Sequence, residues 1–218
     1  MKLYSYWRSS AAYRVRIALN LKGLPHEIIP IHLLKGDGDQ RKAEYRKLNP
    51  QGLIPLLDDD GFRVPQSLAI FQYLEDSWPQ PALAPDDVQT RARMWAFCQA
   101  IACDIHPLNN LRVLQYLQSR FKVSDADRDD WCRHWIAEGF AALEASLREL
   151  PQTRYCFTDT PTFADCCLAP QMYNAERYQC PLDAYPRLVA LSARLRELPA
   201  FDTAHPDRQP DSPKPVQI

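Results

Sequence analysis

Two adjacent hydroxyls, Ser9 and Ser10, sit where a strand-like opening meets a helix pattern. Lys2 to Tyr6 has strand character, Trp7 and Arg8 follow, and a helical stretch runs from Ala11 to Leu21 before Gly23. A serine at such a turn presents its Oγ beside the unpaired N–H groups of the first helical turn. The helix dipole adds positive potential at the same point, which favours an anion such as a thiolate. The same serine also serves as an ordinary helix cap. These residues alone leave both uses open.

Two further places invite a ligand. Ile54-Pro55 falls inside Leu53 to Leu57, read as a strand, where proline removes a ladder donor. A cis peptide bond there would leave the N–H and C=O of Ile54 to a peptide-like ligand; an edge-strand proline with no ligand is the alternative. Gln66-Ser67 opens a later helix with an amide, a hydroxyl and unpaired N–H groups, suited to a carboxylate or to plain capping. His106, with an ordinary pKa of about 6.5, has the chemistry of a general base, but its place before Pro107 suggests a kink residue instead. The seven cysteines (98, 103, 132, 156, 166, 167 and 180) form no CxxC pair and no zinc spacing, so no metal site is expected. Scattered over helix-like segments, they read as buried thiols. Any thiol chemistry is expected to use a sulfur that the protein does not itself carry.

These groups need elements to hold them, and the chain shows two grammars. Residues 1–80 read as strand, helix, strand, then strand, strand, helix: Leu3 to Tyr6, Ala11 to Leu21, Glu27 to Ile31, a polar helix over Gln40 to Leu48, the hairpin Leu53–Leu57 with Phe62–Val64, and Ser67 to Asp76. Ala11, Val15, Ala18 and Leu19 give the first helix one apolar face. This βαβ-ββα order predicts a thioredoxin-like α/β domain with a mixed four-stranded sheet. A proline-rich joint, Trp78 to Pro85, marks the boundary, and residues 86–218 read as an all-α domain. Helices are expected near 86–103, 107–118, 125–150, 162–178 and 185–198, with Thr162 to Asp165 in capping-box form and an extended tail from Pro206.

Composition narrows the function. Lys and Arg number 26 against 27 Asp and Glu, so no basic stripe points to nucleic acid. Apolar residues make up 46%, without a run that spans a membrane. The opening MKLYSYWRSS lacks the apolar stretch of a secretion signal. A cytoplasmic protein with neither nucleic-acid nor membrane partner is expected.

The strings YWRSSAAYRVRIAL, NPQGLIPLL, PQSLAIFQYLE, DIHPLNNLRVLQYL, TPTFADCCLAPQ, YNAERY and RQPDSP cover nearly the whole chain in order. In them the sequence resembles the zeta class of glutathione transferases, the family of maleylacetoacetate isomerases. The resemblance implies the glutathione transferase fold, a homodimer, and glutathione as cofactor with a small acidic substrate. Ser9 then corresponds to the serine that hydrogen-bonds the glutathione sulfur, with Ser10 beside it. Ile54 would pair with the cysteinyl backbone, Gln66 and Ser67 would hold the γ-glutamyl end, and Gln40 would lie near the glycyl end. As an alternative, Gln40 is an exposed helix residue. His106 takes the place of a glutathione-contacting side chain that reaches over from the neighbouring subunit. Asn110 would support it, or else serve as an internal cap or surface amide. Ala11 departs from the family, which often has cysteine there, and removes an auxiliary thiol.

The resemblance also implies a reaction. Thiolate addition to the cis double bond of maleylacetoacetate leaves a single bond that rotates, and elimination restores the alkene as trans. Cations must orient the acidic substrate, and Arg8, Arg112 and Arg177 are the candidates. On residue type alone, Arg112 reads equally as half of a surface ion pair and Arg177 as a solvated charge. Maleylpyruvate isomerisation and glutathione transfer to halogenated acids are the alternatives, and a non-catalytic binding module is a further reading.

Overall fold

Strand β1 (Lys2–Ser5) runs into helix α1 (Ser10–Leu21), which crosses over to β2 (Glu27–Pro30), and β1 and β2 pair in parallel. A short 3-10 turn, Asp39–Arg41, and helix α2 (Ala43–Leu48) lead to the hairpin β3 (Leu56–Asp59) and β4 (Phe62–Pro65), then α3 (Ser67–Ser77). The computed structural model describes residues 1–213, and its sheet has the order β2-β1-β3-β4, with β3 antiparallel to both neighbours. Asp58 closes the hairpin by accepting from Gly61 N–H and Arg63 Nε, each at 2.8 Å.

Two elements differ from the sequence reading. β3 starts at Leu56 rather than Leu53, because the Leu53 carbonyl is taken by Tyr45 Oη and Asn49 Nδ2, each at 2.7 Å. The polar helix expected over 40–48 is split: Lys42 is extended (ψ 147°) and its N–H closes the 3-10 turn on Asp39.

After α3 the chain is tied back to its own unit. Lys22, buried, pairs with Glu75 at 2.7 Å and donates to the carbonyls of Trp78 (2.6 Å) and Pro81 (3.1 Å). A buried ammonium needs such partners to offset its desolvation.

The second unit, residues 84–196, is helical. Helix α4 (Val88–Gln99) starts on Asp87, whose carboxylate accepts from Thr90 N–H at 2.8 Å. It widens into a π-helical turn, Ala100–Ile105, and tightens into a 3-10 turn, His106–Asn109. Pro107 has no N–H to donate and crowds the preceding turn, which accounts for the break in α-helical geometry here. Helices α5 (Leu111–Phe121), α6 (Asp125–Arg148), α7 (Phe163–Arg177) and α8 (Pro186–Arg196) follow. Their core includes Phe97, Cys98, Ile136, Phe140, Phe163, Cys167, Leu188 and Leu191. The Thr162–Asp165 capping box is present: Asp165, fully buried, accepts from Thr162 N–H (2.8 Å), Thr162 Oγ1 (2.9 Å) and Cys156 N–H (3.0 Å). No strand follows β4 among the described residues.

The chain then returns. Residues 197–213 belong to the first unit, together with residues 1–83, whereas the sequence reading placed them with the helices. Helix α9 (Pro199–Ala204) packs along α1, and Asn20 Nδ2 donates to the Ala200 carbonyl at 3.0 Å. The expected single apolar face of α1 is therefore replaced by burial on nearly all sides: every residue from Ala12 to Leu19 is buried, Arg14 and Arg16 included. A 3-10 turn at Pro206–Arg208 interrupts the expected extended tail, whose last part, 214–218, lies outside the described residues.

Candidate active site

Three of the sequence-marked positions meet at one edge of the sheet. Tyr4 of β1 faces Leu56 of β3, and Leu56 faces Pro65 of β4. Because β3 runs against both neighbours, the end of β1, the start of β3 and the end of β4 share one edge. Ser9 leaves that edge from β1, Ile54-Pro55 enters it before β3, and Gln66 leaves it from β4.

Ser9 is the N-cap of α1, with extended backbone (φ −68°, ψ 116°), and its Oγ accepts from Ala12 N–H at 3.2 Å. That bond uses an oxygen lone pair, so the O–H proton stays available for a second partner. Capping and anion binding, open alternatives from sequence, are thus compatible in one hydroxyl. Ser10 begins the helix and is buried. Arg8 is half-buried, its guanidinium 5.1 Å from the centre of the Trp7 ring, with no ion pair among the described residues.

The Ile54-Pro55 peptide is cis. The N–H and C=O of Ile54, which precedes β3, make no hydrogen bond among the described residues. Gln66 has φ 71° and ψ 118°, a conformation that L residues rarely adopt, and such outliers concentrate at ligand sites. Its side chain does not cap α3; Nε2 donates instead to Gln51 Oε1 at 2.8 Å. Ser67 Oγ accepts from Arg14 Nη1 at 3.3 Å, so α1 and α3 are joined next to the sheet edge.

Gln40 is buried, not the exposed helix residue of the alternative reading. Its Nε2 reaches the Leu33 carbonyl at 3.5 Å, and a Cβ on Gly38 would collide with its amide. Gly52, at φ 61°, lies against the Gln40 carbonyl, which ties this loop to the Gln51–Ile54 stretch. Beside Gln40 an open groove is lined by Lys35, Asp37, Asp39, Arg41 and Lys42.

The remaining marked residues lie on the helical unit. Half-buried His106 opens the 3-10 turn before α5. Asn110 is the N-cap of α5, its Oδ1 accepting from Arg112 N–H at 3.2 Å. Arg112 is exposed and forms no ion pair among the described residues. Arg177 donates to Asn174 Oδ1 (3.3 Å) and to Tyr178 Oη (2.8 Å), with the Tyr178 ring centre 4.4 Å away. Burial raises the Tyr178 phenol to about 12, so it stays neutral and can accept.

Sequence reasoning missed Arg14, Arg16, Gln51 and Asp211. The signal for the first two was two arginines inside an otherwise apolar helix. Gln51 and Asp211 lie in the strings NPQGLIPLL and RQPDSP, but their contacts, with Gln66 and Trp7, are distant in sequence and gave no role to read.

The sequence matches the glutathione S-transferase N-terminal domain over residues 8–77 and the glutathione S-transferase C-terminal domain over residues 110–199. A probable maleylacetoacetate isomerase of Vibrio cholerae is 49% identical over 96% of this chain and 97% of its own. The holo structure of a maleylpyruvate isomerase, described as a bacterial zeta-class glutathione S-transferase, superposes with a TM-score of 0.95 at 47% identity, covering 97% of this chain and 100% of that one. The chain belongs to the glutathione S-transferase family, in its zeta class. A third family member, a maleylacetoacetate isomerase from Methylobacterium extorquens AM1 solved with bound malonate and glutathione, matches with a TM-score of 0.93 at 37% identity, over 98% and 100% of the two chains. The N-terminal match begins at Arg8, one residue before Ser9, and ends with α3, so it spans the sheet-edge constellation.

Proposed function

We propose that this zeta-class protein is a glutathione-dependent isomerase converting maleylacetoacetate to fumarylacetoacetate, a step of aromatic-acid breakdown, and that it has some glutathione transferase side activity. The observation that carries the proposal is the Ser9 hydroxyl: it caps α1 with its oxygen and keeps its proton at the helix N-terminus. The residues around it suit a tripeptide thiol, since the backbone polar groups of Ile54 and the left-handed Gln66 stand on the same sheet edge. Glutathione, when bound, supplies the thiolate that adds to the double bond and leaves after rotation.

The chain's own residues then have separate tasks. Ser9 donates to the sulfur, and the α1 dipole favours its charge, which lowers the thiol pKa. Ile54 pairs with the cysteinyl backbone, Gln66 and Ser67 hold the γ-glutamyl end, and Gln40 serves the glycyl end. His106 and Asn110 complete the glutathione contacts in a homodimer. Arg8, Arg112 and Arg177 orient substrate carboxylates. Ala11 adds no thiol.

Maleylpyruvate is the second reading, favoured by the fit to a maleylpyruvate isomerase. A cytoplasmic location accords with the absence of any membrane-crossing helix among the described residues. The test is turnover of each compound by purified protein with substoichiometric glutathione. Isomerisation leaves glutathione undiminished, conjugation consumes it, and no turnover of either substrate overturns the proposal.

A further inference from the structure

The turn that carries Ser9 is held from far away in the sequence. Trp7 N–H donates to Asp211 Oδ2 at 2.9 Å. On the other side of the same residue, the Trp7 carbonyl accepts from Arg16 Nη2 at 3.0 Å. Arg16, only 1% exposed, also donates from Nη1 to Ser5 Oγ and from Nε to the Ala204 carbonyl, each at 3.0 Å. Gln209 Nε2 donates to the carbonyls of Thr203 (3.0 Å) and His205 (2.9 Å), which fastens the segment presenting Asp211. Ser9 N–H closes the turn on the Tyr6 carbonyl at 2.9 Å. The N–H and carbonyl of Trp7 and the N–H of Ser9 are thus all bonded, the first directly by the returning segment and the second by Arg16, which the Ala204 carbonyl of that segment holds.

A carboxylate this near an anion site would oppose a thiolate by its charge. Arg16, however, bonds the carbonyl of the same residue whose N–H Asp211 holds, so the carboxylate is matched there by an opposite formal charge. Its influence on the site is accordingly geometric. A hydrogen bond from a main-chain N–H to a carboxylate is of the stronger, charge-assisted kind, and displacement of a catalytic hydroxyl by a fraction of an ångström weakens a bond to sulfur steeply.

We propose that Asp211 is a positioning residue for the reaction: by binding the Trp7 N–H it fixes the turn that sets Ser9 Oγ against the sulfur, making residues 204–211 part of the active-site framework. The proposal rests on Ser9 being the sulfur's partner.

The experiment titrates bound glutathione by thiolate absorbance and measures kcat and KM for wild type, D211A, D211N and S9A. D211A is expected to raise the bound thiol pKa by about one unit and lower kcat about tenfold, with KM for glutathione changed less than about threefold. D211N keeps an acceptor oxygen in place and is expected to stay within about threefold of wild type in kcat. Wild-type thiol titration and kcat in D211A overturn the proposal. So does a loss that follows thermal stability alone while the thiol titration stays fixed. Should D211A not fold, D211S, too short to reach the Trp7 N–H, carries the same test. If S9A leaves the thiol titration unchanged, the reading of Ser9 fails; if S9A shifts it and the Asp211 variants do not, only this inference fails.

Discussion

At Ser9 one oxygen accepts from Ala12 N–H while its hydrogen remains for a ligand, so cap and chemistry share a side chain. They are separable by substitution. Ser9→Ala is expected to cost about 1 kcal/mol of stability and Ser9→Gly only a few tenths, because glycine is a tolerable N-cap and alanine is not. Both variants are expected to lose the thiolate contact equally, so urea unfolding should distinguish them where glutathione titration does not. Equal stability with unequal titration would contradict this division of roles. The reading of all seven cysteines as buried thiols fails at Cys103, which is exposed. Six of the seven are buried, and burial pushes the Cys98 and Cys156 thiols well above the ordinary range. Native alkylation at mild alkaline pH is therefore expected to modify Cys103 alone, by mass spectrometry, since a thiol must be both ionised and reachable. Gln66 was legible by type but not by conformation: nothing in the sequence announces a positive φ at a glutamine.

Elements with local causes were read well, and those with distant causes were not. The α7 capping box is visible in Thr162-Phe163-Ala164-Asp165 because its partners lie within one turn. The bond from Cys156 N–H to the same carboxylate adds a loop that sequence does not announce. Asp165→Ala is expected to destabilise the protein by about 3 kcal/mol, since it strips both the cap and a buried acceptor. Pro107 announced a break near His106, but the π-helical form of the turn before it was missed, because a shift of helical register also depends on what packs against it. Gly139 of α6 packs there, and a Cβ on it would overlap the Ile105 side chain. Gly139→Ala is expected to cost about 1–3 kcal/mol by overpacking. Adding Ile105→Ala should cost less than it does in the wild-type background, a coupling that a double-mutant cycle on thermal melts reads directly.

For the molecule as a whole, the sequence divides near the proline-rich joint, and there the structure also leaves its first unit. What the linear reading could not contain is the return of residues 197–213 to that first unit. A helix pattern with arginines at 14 and 16 looks exposed at both until two elements cover it: α9, with Phe201 only 2% exposed, takes Arg16 through the Ala204 carbonyl, and α3 takes Arg14 through Ser67. Phe201→Ala is expected to lower stability by about 3–5 kcal/mol in urea melts, through lost burial and the cavity left behind. A cost below 1 kcal/mol would mean that α9 does not contribute to the core of the first unit.

The bonds of Arg16 and Asp211 to the Trp7 peptide have a consequence in time. During synthesis Asp211 leaves the ribosome 204 residues after the Trp7 that it holds. The serine is made long before its setting, so a nascent chain that has not yet reached Asp211 carries the hydroxyl without the carboxylate that fixes its turn.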